Sequence, residues 1–294
     1  MKKYYFILFL FTWIFSINTV MAQDKPAYRL FDGEGKKLKY KKALKLVQNA
    51  DILLFGELHN DAIAHWLQLE VLMDLVETKG KKNIITGGEM FERHQVANLE
   101  AYMAGELDEK TFIDSTKVWP NYSTDYRPLI EYCKEMGIPY IGTNIPRRYA
   151  RMVARQGVKS LEALPEDEKA LMTPLPFDID YELPSYAAMK DMMGGHGDAL
   201  IINQFVAAQA VKDATMAHFI LQNRKKGQLF YHINGAYHSD DKEGIAWYLK
   251  QAEPGLELFN FTVVKQESLD KLEEAYLGKA DVIIVVPQTM TVSY

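Results

Sequence analysis

Apolar positions along this chain fall into two alternating rhythms. Short apolar runs at 52–55, 83–88, 139–143, 229–234, 258–264 and 281–286 have the length and composition of buried strands. Between them, apolar residues return every three or four positions. The clearest case is 65–76, with Trp66, Leu69, Leu72, Met73 and Val76, ending near Gly80. The same spacing predicts helices over 92–103, 109–118, 127–136 and 242–251. Gly137 stops the third of these, and Pro146 suits the first turn of a helix after 139–143. Strands alternating with helices assemble most naturally as an α/β fold with a mostly parallel central sheet flanked by helices. One interval breaks the rhythm: no strand-like run lies between Ile145 and Leu229. It holds Pro174, Pro176, Pro184, Met189, Met192, Met193 and a Gly194-Gly195-His196-Gly197 loop, then a long helical pattern over 199–221. This predicts a helical insertion, about 150–225, capping the site at the strand ends.

The N-terminal run belongs to a different class. Lys2 and Lys3 precede an apolar stretch over 6–17, and Val20 and Ala22 place small residues at −3 and −1 of a cleavage site before Gln23. That pattern predicts a signal peptide over 1–22, followed by a single domain over 23–294. The apolar stretch falls short of the roughly 20 residues of a spanning helix. With no Cys after it, no lipid-accepting residue is present, so the expected location is extracytoplasmic: periplasm or cell exterior. The net charge of −5, with both signs mixed, offers no basic stripe for phosphates and argues against nucleic acid. The sole Cys, Cys133, excludes an internal disulfide and is expected as a buried thiol on the apolar face of helix 127–136.

The chemistry gathers where strands end. Gly56-Glu57-Leu58-His59 and Gly235-Ala236-Tyr237-His238 are both Gly-x-x-His segments placed just after an apolar run. Ligands of open parallel sheets collect at the carboxyl ends of strands, and glycine there permits close backbone approach. A third strand delivers Glu89 and then Arg93; a fourth delivers Asn144 and Arg147. Glu57, His59, Glu89 and His238 could serve a hydrolase, either as acid–base groups or, through His59 and His238, around a divalent metal. Plainer readings stand beside these. Either histidine could be a hydrogen-bonded structural residue. Glu57, Asn60 or Asp61 could cap the next helix, Glu89 and Arg93 could be an i,i+4 pair, and Arg147-Arg148 could be a solvated face. Gly-x-Ser-x-Gly, HExxH, P-loop and dinucleotide motifs are absent. In the insertion, Tyr181, Tyr186, Met192 and His196 include residue types that serve as axial haem ligands. A Met-packed helical hairpin explains the same residues.

Taken in order, Leu53–His59, Glu89 to Arg93 with Gln95, Trp119, Tyr126 to Leu129, Asn144 to Arg147, Gln209 with Asp213 to Ala217, and Gly235 with His238 resemble one known family. This is the ChaN family of iron-regulated, haem-binding uptake proteins, in the Tiki and erythromycin-esterase-like superfamily. The likeness covers roughly residues 45–250. It implies an α/β core with an added helical part, haem as ligand held between the subunits of a homodimer, and a place in an outer-membrane haem uptake system. Some members are lipoproteins, and this chain departs from them. Residue by residue, Gly56, Glu57, His59, Glu89, Arg93, Asn144, Arg147, Gly235 and His238 match the superfamily's polar site. The haem ligand is to be sought over 177–197, with Tyr181, Met192 and His196 as candidates. Two functions are thus expected: haem binding for iron uptake, or a metal-dependent or His/Glu-dependent hydrolase at the paired Gly-x-x-His site.

Overall fold

A computed structural model describes residues 25–192 and 198–293. The expected signal peptide over 1–22 lies outside the described residues. Strand β1 (Arg29–Asp32), β2 (Lys37–Leu38), β3 (Ile52–Glu57), β4 (Ile84–Glu92), β5 (Tyr140–Asn144), β6 (Leu229–Gly235), β7 (Leu258–Gln266) and β8 (Val282–Pro287) form one sheet, ordered β2-β1-β8-β7-β3-β6-β4-β5. From β8 to β5 every pairing is parallel, while β1 runs antiparallel to β8 and β2 antiparallel to β1. The short edge pair escapes the sequence pattern because β1 and β2 carry too few apolar positions to show a period.

The central strands read as unbroken apolar runs because both sheet faces are covered. On one face, Leu53, Phe55, Ile84, Tyr231 and Ile233 pack against helices α1 (Tyr40–Leu46), α2 (Ala62–Lys79), α3 (Val96–Met103), α4 (Glu109–Thr116) and α5 (Arg127–Met136). The interval between β5 and β6 holds α6 (Arg147–Gln156), α7 (Glu166–Lys169), α8 (Pro184–Met192) and α9 (Ala199–Asn223), which form the expected insertion. The C-terminal half of α9, with α10 (Ile245–Ala252), covers Ile52, Leu54, Ile85 and Phe230 on the opposite face. Among the described residues no helix is long and apolar enough to cross a membrane.

Two boundaries differ from the sequence reading in ways that matter for the site. Strand β4 runs on through its two glycines to Glu92, with a register shift against β5 between Gly88 and Glu92. The predicted helix over 92–103 therefore begins only at Val96, after one tight turn closed by reciprocal capping between Glu92 and Gln95. Glu89 and Arg93 thus share no helix. At the start of α2, Asp61 rather than Glu57 is the cap, its carboxylate accepting from the Ile63 and Ala64 backbone N–H groups. Cys133 is buried as expected, and burial pushes its thiol up to about 12.

Candidate functional site

Strand β3 ends on Glu57, which is buried yet saturated with donors. Its carboxylate accepts from Tyr126 Oη at 2.6 Å and Gln68 Nε2 at 2.5 Å, and meets His59 Nδ1 at 2.8 Å. Burial alone would raise this carboxyl, but the His59 hydrogen bond and the His65 and His59 charges bring it below the ordinary range. The His59 carbonyl is itself pinned, receiving Asn121 Nδ2 at 2.8 Å and meeting His65 Nε2 at 3.1 Å. Its ring stands edge-on to Trp119, centroids 5.0 Å apart. Burial pulls His59 toward the neutral form; the Glu57 hydrogen bond and the Glu89 and Glu57 charges outweigh that and raise it.

The second histidine sits deeper. His238 Nδ1 meets Asp213 Oδ1 at 2.5 Å, and its Nε2 lies 3.2 Å from Glu89 Oε1. Glu89 Oε2 accepts the Gly235 backbone N–H at 2.8 Å, and Asp213 accepts the Tyr186 hydroxyl at 2.7 Å. Gln209 Nε2 lies 2.9 Å from His238 Nδ1. Burial opposes charge on His238, but Glu89 and Asp213 raise it to about 10, so the imidazolium is the resting form. Glu89, raised by burial, is carried the other way by His238 and ends well below the usual carboxylate range. Asp213 is raised, because its complete burial outweighs the His238 charge.

Gly235 is the hinge between the two clusters. A Cβ at this position would fall 2.9 Å from His59 Nε2 and 3.4 Å from Glu89 Oε2, so one small volume touches both. At Gly56 a Cβ would meet the Ala236 Cα at 2.9 Å, which is how the two Gly-x-x-His segments pack together. Two cavities open here. A polar one of about 770 Å³ is lined by His59, Glu89, Glu92, Trp119, Arg147 and Lys212 among others. The other, of about 890 Å³, reaches from His59 and His238 past Gln209 to Met189, Phe205 and Tyr237. The expected convergence of Glu57, His59, Glu89, Gly235 and His238 is therefore present, and Arg147 joins it at the polar wall. Asn144 supports it from behind, donating to the Glu89 carbonyl.

Arg93 does not join. Because β4 continues to Glu92, Arg93 leaves the site, donates to the Gly142 carbonyl and lies 3.8 Å over the Phe219 ring. The metal reading of His59 and His238 also finds no support. Nδ1 of His59 and both nitrogens of His238 face carboxylates, and among the described residues no group of three His, Cys, Asp or Glu side chains is disposed to hold an ion. The supporting residues that strand-end reasoning left out are Asp213, Gln209, Tyr126, Gln68 and Tyr186.

A family model described as haem-binding uptake, Tiki superfamily, ChaN, matches residues 43–249. The chain belongs to the ChaN family. Its fold is shared with ChaN of Campylobacter jejuni, described with cofacial haem binding, at a TM-score of 0.68 and 14% identity over 88% of this chain and 96% of that one. A Bacillus cereus protein of known structure is more distant, with a TM-score of 0.49 and 11% identity over 84% of this chain and 90% of that one. Among curated proteins, the chloroplastic protein RETICULATA-RELATED 5 of Arabidopsis thaliana is 27% identical over 150 residues, 48% of this chain but only 19% of that protein.

The three haem-ligand candidates of this ChaN-family chain are placed unequally. Tyr181 is half-buried with the Lys190 ammonium 5.6 Å from its ring centre, and burial raises its hydroxyl, away from the phenolate that ligates iron. Met192 ends α8 and is 81% exposed. His196 lies outside the described residues.

Proposed function

We propose that this chain carries haem for iron uptake outside the cytoplasm, as a homodimer that receives its cargo from, or passes it to, an outer-membrane haem uptake system. Membership of a haem-binding uptake family supports the cargo. One structural observation carries the reading further. At the end of α8 and in the first turns of α9, Met192, Leu200 (63%), Ile201 (56%) and Phe205 (48%) leave large apolar side chains in water. A cluster of that kind on a protein surface marks a ligand or partner site. Haem is a flat apolar disc, and a second protomer laid over it would cover the remainder of this face. Of the candidate iron ligands, Met192 belongs to this face, and His196 falls between Met192 and Leu200 in the sequence.

The test is a haemin titration of the protein lacking residues 1–22, followed by absorbance and by mass. A saturable shift of the main haem band in the low micromolar range, with mass rising to two protomers, is the expected outcome. Absence of a saturable shift would end the haem reading. Fractionation of cells producing the full chain tests export in the same way: the processed form belongs outside the cytoplasm.

A second reading, hydrolysis, is favoured by one observation. His59 has its Nδ1 held by a buried carboxylate while its ring lines both open cavities, the arrangement of a base and the group that orients it. His59→Ala would then abolish a hydrolytic activity while leaving haemin binding intact.

A further inference from the structure

The polar cavity beside His59 has an imbalance of charge that neither haem carriage nor acid–base chemistry uses. Its two carboxylates are already engaged. Glu89 is taken by His238 and the Gly235 N–H. Glu92 accepts the Arg147 backbone N–H at 2.9 Å, lies 3.3 Å from His94 Nδ1, and also caps its own turn. The cations are not engaged. Among the described residues the side chains of Lys117, Arg147 and Lys212, all lining this cavity, make no hydrogen bond and no ion pair. Lys212 does no more than lend its charge to the neighbouring buried Asp213.

Donors are in surplus as well. The Trp119 indole N–H has no hydrogen-bond partner among the described residues, and an indole can only donate. The His59 ring lies on the same wall; with its Nδ1 committed to Glu57, its Nε2 donates to an anion when the ring is protonated. A half-enclosed space whose carboxylates are engaged and whose cations are idle is matched by a ligand rich in anionic oxygen. Guanidinium and ammonium groups together suit carboxylates and phosphates.

We infer that the cavity walled by His59, Trp119, Arg147 and Lys212 binds a small molecule bearing a carboxylate or phosphate group, separately from haem. The cavity volume of about 770 Å³ admits a whole metabolite rather than a lone ion. The inference rests on this cavity and not on haem carriage, so either stands if the other fails.

The experiment uses inorganic phosphate and succinate as probes, titrated by calorimetry into the protein lacking residues 1–22 at constant ionic strength. Saturable binding is expected for at least one probe. The double variant Arg147→Gln/Lys212→Gln should weaken it by about tenfold or more, as loss of two charge-assisted contacts implies. Lys41→Gln combined with Lys42→Gln, two exposed positions on α1, removes the same charge and controls for it. Circular dichroism confirms that the variants fold, Arg147 being exposed and Lys212 only half-buried. No saturable heat with either probe overturns the inference, as does binding that the double variant leaves unchanged. Repeating the titration on haemin-saturated protein distinguishes the source of the carboxylate. Undiminished probe binding supports a separate site. Loss of probe binding, together with an equal fall in haemin affinity in the double variant, would assign these cations to haem's own carboxylates and overturn the inference.

Discussion

Gly56 and Gly235 lack side chains for different reasons, and substitution separates them. A methyl at Gly56 presses on backbone, which cannot yield cheaply, so Gly56→Ala should cost about 1–3 kcal/mol, read from the urea midpoint. At Gly235 the obstacle is the half-buried His59 ring, which can swing outward. Gly235→Ala should therefore lower the midpoint less than Gly56→Ala does, by the loss of the Glu57 contact, while moving the His59 titration, followed by NMR, toward that of a free imidazole as the ring leaves Glu57. Asp213→Asn goes deeper: the carboxylate is fully buried and the imidazolium against it would keep only Glu89, a loss of about 3–5 kcal/mol in the range for breaking buried pairs. Both histidines and Glu57 could be read from the sequence because each follows an apolar run at a strand end; Glu89 follows such a run as well, although β4 continues past it to Glu92. Asp213 could not be read that way, since its partner His238 comes from a strand while Asp213 lies mid-helix. The available signal was Gln209 and Asp213, four apart on one helix face, both turned to His238.

At the scale of elements, α9 does two jobs along its length. Its second half is buried against the sheet, with Met216, Phe219 and Ile220 almost without exposure, and its first turns carry Leu200, Ile201 and Phe205 into water. The sequence shows one long apolar-rich helix over this stretch and cannot show where cover stops, because cover is a property of the neighbours. Leu200→Ser/Phe205→Ser removes only exposed surface, so stability should stay within about 0.5 kcal/mol. Haemin affinity should fall by about tenfold if this face holds the porphyrin, by the area lost. Equal affinity in the variant would move haem elsewhere on the molecule. The parallel strands were legible for the opposite reason: burial on both faces writes an unbroken apolar run. The edge strands β1 and β2, short and half covered, write nothing of the kind, and the run of β4 beyond Gly88 is hidden by glycines and charged residues that sheet pairing tolerates at a bulge.

Across the whole molecule, the buried charges set how stability follows pH. His238 binds its proton in the folded state up to about 10, whereas an unfolded histidine releases it near 6.5. Its contribution is thus complete below 6.5 and is lost as pH climbs through the window to 10. Glu57 and Glu89, both lowered, contribute above the ordinary carboxylate range near 4.5 and lose that contribution in acid; Asp213, raised, works against them there. Urea midpoints should therefore decline between pH 7 and pH 10, and His238→Gln should flatten that decline. A slope unaltered by the substitution would mean the imidazolium is not the resting form. The molecule also carries its own gauge for such measurements. Cys133 is the one sulfhydryl in the sequence, sealed on the inner face of α5 with its proton held tightly, so a thiol reagent has nothing to attack until the core opens. The pace at which an alkylating label is incorporated then clocks whole-chain opening in native buffer, with no denaturant and no engineered probe.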